Sequence, residues 1–142
     1  MTSAREIMSG DAECVRTGDT LTQAAQKMKQ LQVGALPICG DDDRLHGMLT
    51  DRDIVVDCIA DGGDPSSTKV SDLAGGETVT IGADDSIEEA LRTMVRAGVR
   101  RLPVIDGHEL VGMLSQADIA KNCPDELVAE LVESLSAAPA NN

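Results

Sequence analysis

The chain contains no Phe, Tyr or Trp. Its core must therefore be built from Val, Ile, Leu, Met and Ala, with six Met residues to fill irregular gaps. A bound base would have to lie against aliphatic or arginine surfaces, because there is no aromatic platform. Basic residues are also scarce: twelve Lys and Arg against twenty-five Asp and Glu leave a net charge of −13. Such a balance repels a phosphate backbone, so no nucleic-acid partner is expected. No apolar run approaches the roughly eighteen residues of a membrane span, and Met1-Thr2-Ser3-Ala4-Arg5-Glu6 lacks an apolar signal stretch. A soluble, cytoplasmic protein with no membrane partner is the expectation, with export without a signal peptide as the alternative. No P-loop, zinc-hydrolase motif or Ser-His-Asp or Cys-His order is present, which argues against an enzyme.

What is present is a duplication. Gly47-Met48-Leu49-Thr50-Asp51-Arg52-Asp53-Ile54 runs a strand-like apolar pair into a hydroxyl and, three residues on, a carboxylate that opens a helix. Sixty-five residues later Gly112-Met113-Leu114-Ser115-Gln116-Ala117-Asp118-Ile119 repeats the glycine, both apolar positions, the hydroxyl, the carboxylate and the isoleucine. Six matched positions make the internal repeat the first feature to use in deriving the fold.

In chain order, Thr20-x-x-Gln23 is a capping box, followed at helical spacing by Leu21, Ala24, Ala25, Met28 and Leu31. The second copy has Ser86-x-x-Glu89, with Ile87, Ala90, Leu91, Met94 and Ala97 as its face. A short strand is expected before each helix, near Cys14-Val15 and near Val79-Thr80-Ile81. After each comes a proline-containing strand, Ala35-Leu36-Pro37-Ile38 or Arg101-Leu102-Pro103-Val104, where the proline implies an edge or a bulge. Polar turns, Gly40-Asp41-Asp42-Asp43-Arg44 and Asp106-Gly107-His108-Glu109, return the chain into the Gly-Met-Leu strands. Each copy thus predicts strand, helix, strand, turn, strand, helix. The expected divisions are residues 4–61 and 70–123 for the two copies, a linker at 62–69, an amphipathic helix at 124–136 and a loose tail at 137–142. Leu127, Val128, Leu131, Val132 and Leu135 give that last helix one apolar stripe, which needs a partner.

A hydroxyl at a strand end before a helix N-terminus can bind phosphate, and a carboxylate one turn on can accept hydrogen bonds from a ribose diol. Thr50-x-x-Asp53 and Ser115-x-x-Asp118 are equally plain capping boxes. With both Leu-Pro-apolar strands and both Gly-apolar-apolar-hydroxyl-x-x-Asp motifs in order, residues 4 to 123 resemble paired CBS (cystathionine β-synthase) domains, or a Bateman module. The resemblance implies a mixed α/β (α+β) fold, a pseudo-twofold disc of two β-α-β-β-α units followed here by a C-terminal helix. It also implies clefts between the copies that in many members hold AMP, ADP, ATP or related adenosine ligands, and homodimerisation. Carried over residue by residue, it makes Thr50 and Ser115 phosphate ligands and Asp53 and Asp118 ribose ligands. Arg100 and Arg101 are the further phosphate candidates, although solvated strand-edge charge is the plainer reading of both. Their first-copy equivalents are Gly34 and Ala35, so the two clefts would be unequal. Asp41, Asp42, Asp43, Asp51 and Asp57 crowd the first copy and oppose a polyphosphate unless Mg²⁺ screens it.

Cys58 and Cys123 are equivalents on their second helices, where buried small hydrophobes are expected, Cys58 beside Ile54, Val55 and Ile59 and Cys123 beside Ile119 and Ala120. Cys14 and Cys39 correspond to Thr80 and Ile105 and so belong to the first copy alone. They are the disulfide candidates; a bridge would close a loop of about 25 residues and stabilise by roughly 3 kcal/mol. Parallel strands placing the two Cα atoms too far apart, or a reducing cytosol, would leave them as thiols. His46, His108, Cys58 and Cys123 are the soft metal ligands for a zinc ion, without Cys-x-x-Cys or His-x-x-x-His spacing to assemble one locally. Two functions follow. One is a stand-alone, non-catalytic regulatory or sensory module binding an adenine nucleotide, with an unidentified protein partner downstream. The other is a ligand-free structural or interaction protein of the stress-response kind, stabilised by a disulfide or zinc, in which the motifs serve only as helix caps.

Overall fold

Most of the local signals form the elements that their spacing predicts. A computed structural model describes residues 2–10, 13–73 and 78–136. The chain runs α1 (Ala4–Ile7), β1 (Ser9–Gly10), β2 (Val15–Arg16), α2 (Leu21–Leu31), β3 (Ala35–Cys39), β4 (Leu45–Thr50) and α3 (Asp51–Asp53), which continues as a π-helical segment, Ile54–Ile59. It proceeds through α4 (Val70–Leu73), β5 (Ile81–Gly82), α5 (Ile87–Ala97), β6 (Arg101–Asp106), β7 (Glu109–Ser115), α6 (Gln116–Asn122) and α7 (Asp125–Ser136). The mixed α+β architecture and the twofold repetition of strand, helix, strand, strand, helix are both present. The expected tail, 137–142, lies outside the described residues.

Two compact units form, one from Glu13–Thr78 and the other from the N-terminal residues together with those from Val79 onward. In the first-copy unit the described strands order β2-β3-β4, with β2 parallel and β4 antiparallel to β3. The second-copy unit orders β1-β7-β6-β5. Each proline sits one residue before the parallel neighbour begins to pair, since β2 meets β3 from Ile38 and β5 meets β6 from Val104. A missing N–H at Pro37 or Pro103 therefore disrupts no parallel ladder bond. The register shifts come just after, between Ile38 and Cys39 and between Val104 and Ile105.

The division into units departs from chain order in one respect. Helix α1 precedes the first copy yet docks in the second-copy unit, where the Ala4 N–H donates to the Asp85 carbonyl (2.8 Å) and the Arg5 N–H to that of Ala83 (2.9 Å). Helix α4 makes the equivalent bonds in the first-copy unit, Val70 N–H to Asp19 carbonyl (2.8 Å) and Ser71 N–H to Thr17 carbonyl (3.0 Å). The Arg5 guanidinium reinforces its side by pairing with Asp106 (3.1 Å) and Asp84 (3.3 Å), and both raise its pKa.

Each unit has its own aliphatic core: Val15, Leu21, Met28, Leu36, Ile38, Leu49 and Ile54 in one, and Ile81, Leu91, Met94, Leu102, Val104, Leu114 and Ile119 in the other. Fully buried side chains of this size contribute about 1.5–3 kcal/mol each. Some expected core positions are not in it. Ala25, Leu31 and Ala97 face outward at the ends or flanks of their helices. The Thr20/Gln23 box forms completely, but only half of the Ser86/Glu89 box does: Ser86 Oγ accepts from the Glu89 N–H (3.1 Å), while the Glu89 carboxylate turns to Arg92 (3.0 Å).

Candidate functional site

Both hydroxyl-x-x-carboxylate motifs stand where a strand becomes a helix. Thr50 and Ser115 end β4 and β7 in extended conformation, with φ −111° and −107°. Thr50 Oγ1 accepts from the Asp53 N–H (3.1 Å), and Asp53 Oδ2 accepts from the Thr50 N–H (2.9 Å). In the second copy Ser115 Oγ accepts from the Asp118 N–H (3.2 Å) and Asp118 Oδ2 from the Ser115 N–H (2.9 Å). These are complete capping boxes, so the helix-stabilising role is satisfied at both sites. The caps use each hydroxyl as an acceptor and one oxygen of each carboxylate. The hydroxyl hydrogen and the other carboxylate oxygen, Oδ1, have no partner among the described residues, and all four side chains are only half-buried. A free donor suits a phosphate oxygen and a free carboxylate acceptor suits a sugar hydroxyl, so capping and ligand binding can be served by different atoms of the same side chains.

The surroundings of the two motifs differ in charge. The residue facing Thr50 across the ladder is Ala35, whereas Arg101 faces Ser115. One step earlier, the Gly34 carbonyl accepts from the Asp51 N–H and the Arg100 carbonyl from the Gln116 N–H, each at 2.9 Å. The Asp51 carboxylate lies against Gly34, where an added Cβ would come within 3.1 Å of Oδ2. The first copy therefore places an extra carboxylate where the second has two arginines and an amide. Arg100 also lines a groove of about 350 Å³ with Gln116, Ala117, Ala120, Val128, Val132 and Ser136. Ser115, Asp118 and Arg101 do not line it, so Arg100 is shared with a different surface from the rest of its expected set. That surface was not identified from the sequence; the stripe on α7 was its only signal.

Cys14 and Cys39 are joined by a disulfide. Parallel pairing of Val15 with Ile38 brings their Cα atoms to 5.7 Å, inside the bridging range that sequence had left open. Cys58 is buried, its thiol 3.8 Å from Thr68 Oγ1. Cys123 stands just past the end of α6, half-buried on the second core and without the expected Ala120, which is exposed; burial, with help from Glu88, pushes its thiol pKa up. The expectation that Val55 and Ile59 share the buried face with Cys58 is corrected. The Ala60 N–H reaches back five residues to the Val55 carbonyl (2.8 Å), and this wider winding buries Ile54 and Cys58 while leaving Val55 and Ile59 about half exposed.

His46 lies 3.7 Å from Asp42, whose carboxyl is held below the usual range chiefly by the Arg44 N–H. His108 is exposed on the opposite copy's turn. Among the described residues no three His, Cys, Asp or Glu side chains gather to hold a metal, so His46, His108, Cys58 and Cys123 form no local zinc site. No helix among them is long and apolar enough to cross a membrane.

Comparison with known proteins accords with this geometry. The CBS domain family matches residues 4–57 and 70–125. Hypoxic response protein 1 of Mycobacterium tuberculosis is 48% identical over 135 residues, covering 95% of this chain and 94% of its own. A crystal structure of Hypoxic Response Protein I with two coordinated zinc ions is 51% identical at TM-score 0.80, covering 87% of this chain and 100% of that one. The crystal structure of CBSX2 in complex with AMP is 21% identical at TM-score 0.73, covering 85% and 95%, and shares the fold.

Proposed function

The chain belongs to the CBS-domain family as a tandem pair, and from that premise we propose a non-catalytic regulatory module that binds one adenine nucleotide at its second copy and works as a homodimer. The observation carrying this reading is the difference in charge around two otherwise identical caps. Ser115 and Asp118 have a hydroxyl donor and a carboxylate oxygen to offer, and Arg100 and Arg101 stand beside them. Thr50 and Asp53 offer the same atoms, but next to Asp51. An anionic phosphate group favours the arginine side and is repelled by the added carboxylate. Adenine fits the family's use of adenosine ligands, as in the AMP complex of the structural neighbour. With no catalytic motif beside the caps, binding itself is the output.

Equilibrium titration with AMP tests the reading. One saturable site per chain is expected, weakened at least roughly tenfold in Arg101→Ala or Asp118→Asn and little changed in Asp53→Asn. Asparagine keeps a cap acceptor, so a loss of binding without a loss of melting temperature separates the ligand role from the cap. No saturable binding of AMP, ADP or ATP would overturn it.

A second reading rests on the Cys14–Cys39 disulfide and on the zinc coordinated by the similar crystal structure. In it the module is a ligand-free interaction protein held by its covalent staple, with His46, His108, Cys58 and Cys123 contributing zinc ligands only where separate chains or regions bring them together. Native mass spectrometry without reductant distinguishes the two readings by the mass of what stays bound.

A further inference from the structure

Both copies build the same parallel strand pair, and only the first bridges it covalently. There Val15 and Arg16 pair with Ile38 and Cys39, and the Thr17 N–H donates to the Cys39 carbonyl (3.3 Å). In the second copy Ile81 and Gly82 pair with Val104 and Ile105, and the Ala83 N–H donates to the Ile105 carbonyl (2.9 Å). Thr80 and Ile105 stand at the places of Cys14 and Cys39, so this register closes without a bridge. The Cys14–Cys39 disulfide is therefore not what sets the pairing. The ladder that does set it keeps the two Cα atoms, 5.7 Å apart, within bridging range when the sulfurs part.

Two cations accompany the cysteines. Arg16 and Lys27 also belong to the first copy alone, their second-copy counterparts being the uncharged Gly82 and Thr93. Lys27 Nζ donates to the Cys14 carbonyl (2.7 Å) and meets no carboxylate at ion-pairing distance among the described residues. Arg16 Nη1 donates to the Gly40 carbonyl (2.8 Å) and pairs with Asp43 (2.7 Å), which ties β2 to the turn after Cys39 without using the sulfurs. Thr93 is buried and gives its hydroxyl hydrogen to the Glu89 carbonyl (2.9 Å). A cation near a cysteine favours the thiolate, the form in which sulfur attacks a disulfide or leaves one. The two sulfurs differ in access as well, because Cys14 is half-buried and Cys39 is only 1% exposed.

We propose that Cys14–Cys39 is an exchangeable bond, opened and closed in the folded protein by thiol–disulfide exchange with a dithiol, and that Cys14 is the sulfur attacked. One thiolate of the dithiol attacks Cys14 Sγ, the bond to Cys39 breaks, and its electron pair leaves with Cys39. The second thiolate of the dithiol then attacks the dithiol's own sulfur in the mixed disulfide and releases Cys14 beside Lys27. Both cysteine thiolates take up the protons that the dithiol gave up. The dithiol is oxidised to its disulfide, the protein is reduced to two thiols, and the reverse steps close the bond. A monothiol stops at the mixed disulfide, which the neighbouring Cys39 reverses. The site lies wholly in the first-copy unit and is independent of the nucleotide reading.

Reduction of the unmutated protein by dithiothreitol in native buffer, quenched by alkylation and followed by peptide mass mapping, tests the proposal. The bond should open at a rate proportional to dithiothreitol and constant within about twofold in urea below the unfolding transition, because attack needs no unfolding. A rate that climbs steeply in such urea would put the bond out of reach in the folded state and overturn the proposal. So would a reduced protein whose far-ultraviolet circular dichroism shows unfolding, or one that does not re-form the bond on transfer to glutathione disulfide. The same reagent locates the attacked sulfur: Cys14 in Cys39→Ser should be glutathionylated at least about tenfold faster than Cys39 in Cys14→Ser. Equal rates would overturn the assignment to Cys14. Lys27→Gln keeps a donor for the Cys14 carbonyl and should slow native reduction at least about threefold, and Lys27→Arg should restore it. An unchanged rate in the glutamine variant would overturn the part given to Lys27.

Discussion

The two copies share a backbone frame and differ in what their side chains do with it. Helices α1 and α4 dock through the same two main-chain hydrogen bonds, and both cap motifs close with nearly the same distances. Upon that frame the first copy has a disulfide, a π-helical turn and an extra carboxylate at its cap. The second has two arginines and a covering helix, α7, packed against α5 and α6. Backbone hydrogen bonds tolerate side-chain change as long as φ and ψ are kept, which is why a duplicated chain can hold its geometry while its chemistry diverges. Equivalent positions in the two copies therefore stand among different neighbouring charges.

The largest expected break in this comparison comes from the disulfide. Replacing Cys14 and Cys39 with Ala should destabilise the first-copy unit by about 3 kcal/mol, because the unfolded chain recovers the freedom of a loop of about 25 residues. Hydrogen exchange locates the loss: amides of Val15 and Ile38 should lose protection while those of Leu102 and Val104 keep it. Equal loss in both would mean that the units unfold as one cooperative block and that the staple is not local.

The second-copy unit is opened instead at Gly112. Strand β1 pairs with β7 there, and an added Cβ would stand 2.7 Å from the Ser9 carbonyl oxygen and 2.5 Å from Met8 Sδ. The thioether can swing away, but the backbone oxygen moves only if the pairing breaks. Gly112→Ala should cost about 1–3 kcal/mol, as overpacking does, and free the N-terminal segment before anything in residues 13–73. Denaturant unfolding gives the size and exchange the location; protection lost first in the first-copy unit would contradict the division.

What was legible in the sequence was local or periodic. Thr20/Gln23, Thr50/Asp53 and Ser115/Asp118 read as caps because a cap spans four residues and owes little to the rest of the fold. Leu21, Met28, Leu91 and Met94 read as core because helical spacing repeats them. The docking of α1 and α4 was not legible, since four-residue helices carry no period and their anchors are main-chain groups far along the chain. Nor was the exposure of Val55 and Ile59, which depends on a π-turn that composition does not signal. For the disulfide, the sequence supplied the candidates and only the strand register supplied the distance. Of the expected ligand set, the cap pairs were legible as motifs, but the placement of Arg100 along the α6–α7 groove needed the packing of α7.

The smallest expected effect sharpens the comparison at the loop that follows the first copy's second helix; in the second copy α7 takes that place. Asp64 accepts hydrogen bonds from the Ser66 hydroxyl (2.7 Å) and the Ser66 N–H (2.9 Å), and these hold its carboxyl below the ordinary range, the hydroxyl bond foremost. The same loop receives the Leu21 and Thr22 N–H groups at the start of α2, through the Thr68 and Pro65 carbonyls. Because the folded carboxyl is the stronger acid, its stabilisation is complete above the unfolded value of about 3.9 and is lost as pH falls through the folded one. Asp64→Asn should therefore lower stability modestly at neutral pH and match the wild type roughly two pH units below the unfolded value, where both side chains are neutral. Denaturant unfolding at the two pH values reads the difference. A gap that persists in acid would assign the effect to the shape of the turn, and the charge on Asp64 would then add nothing to the stability of the first-copy unit.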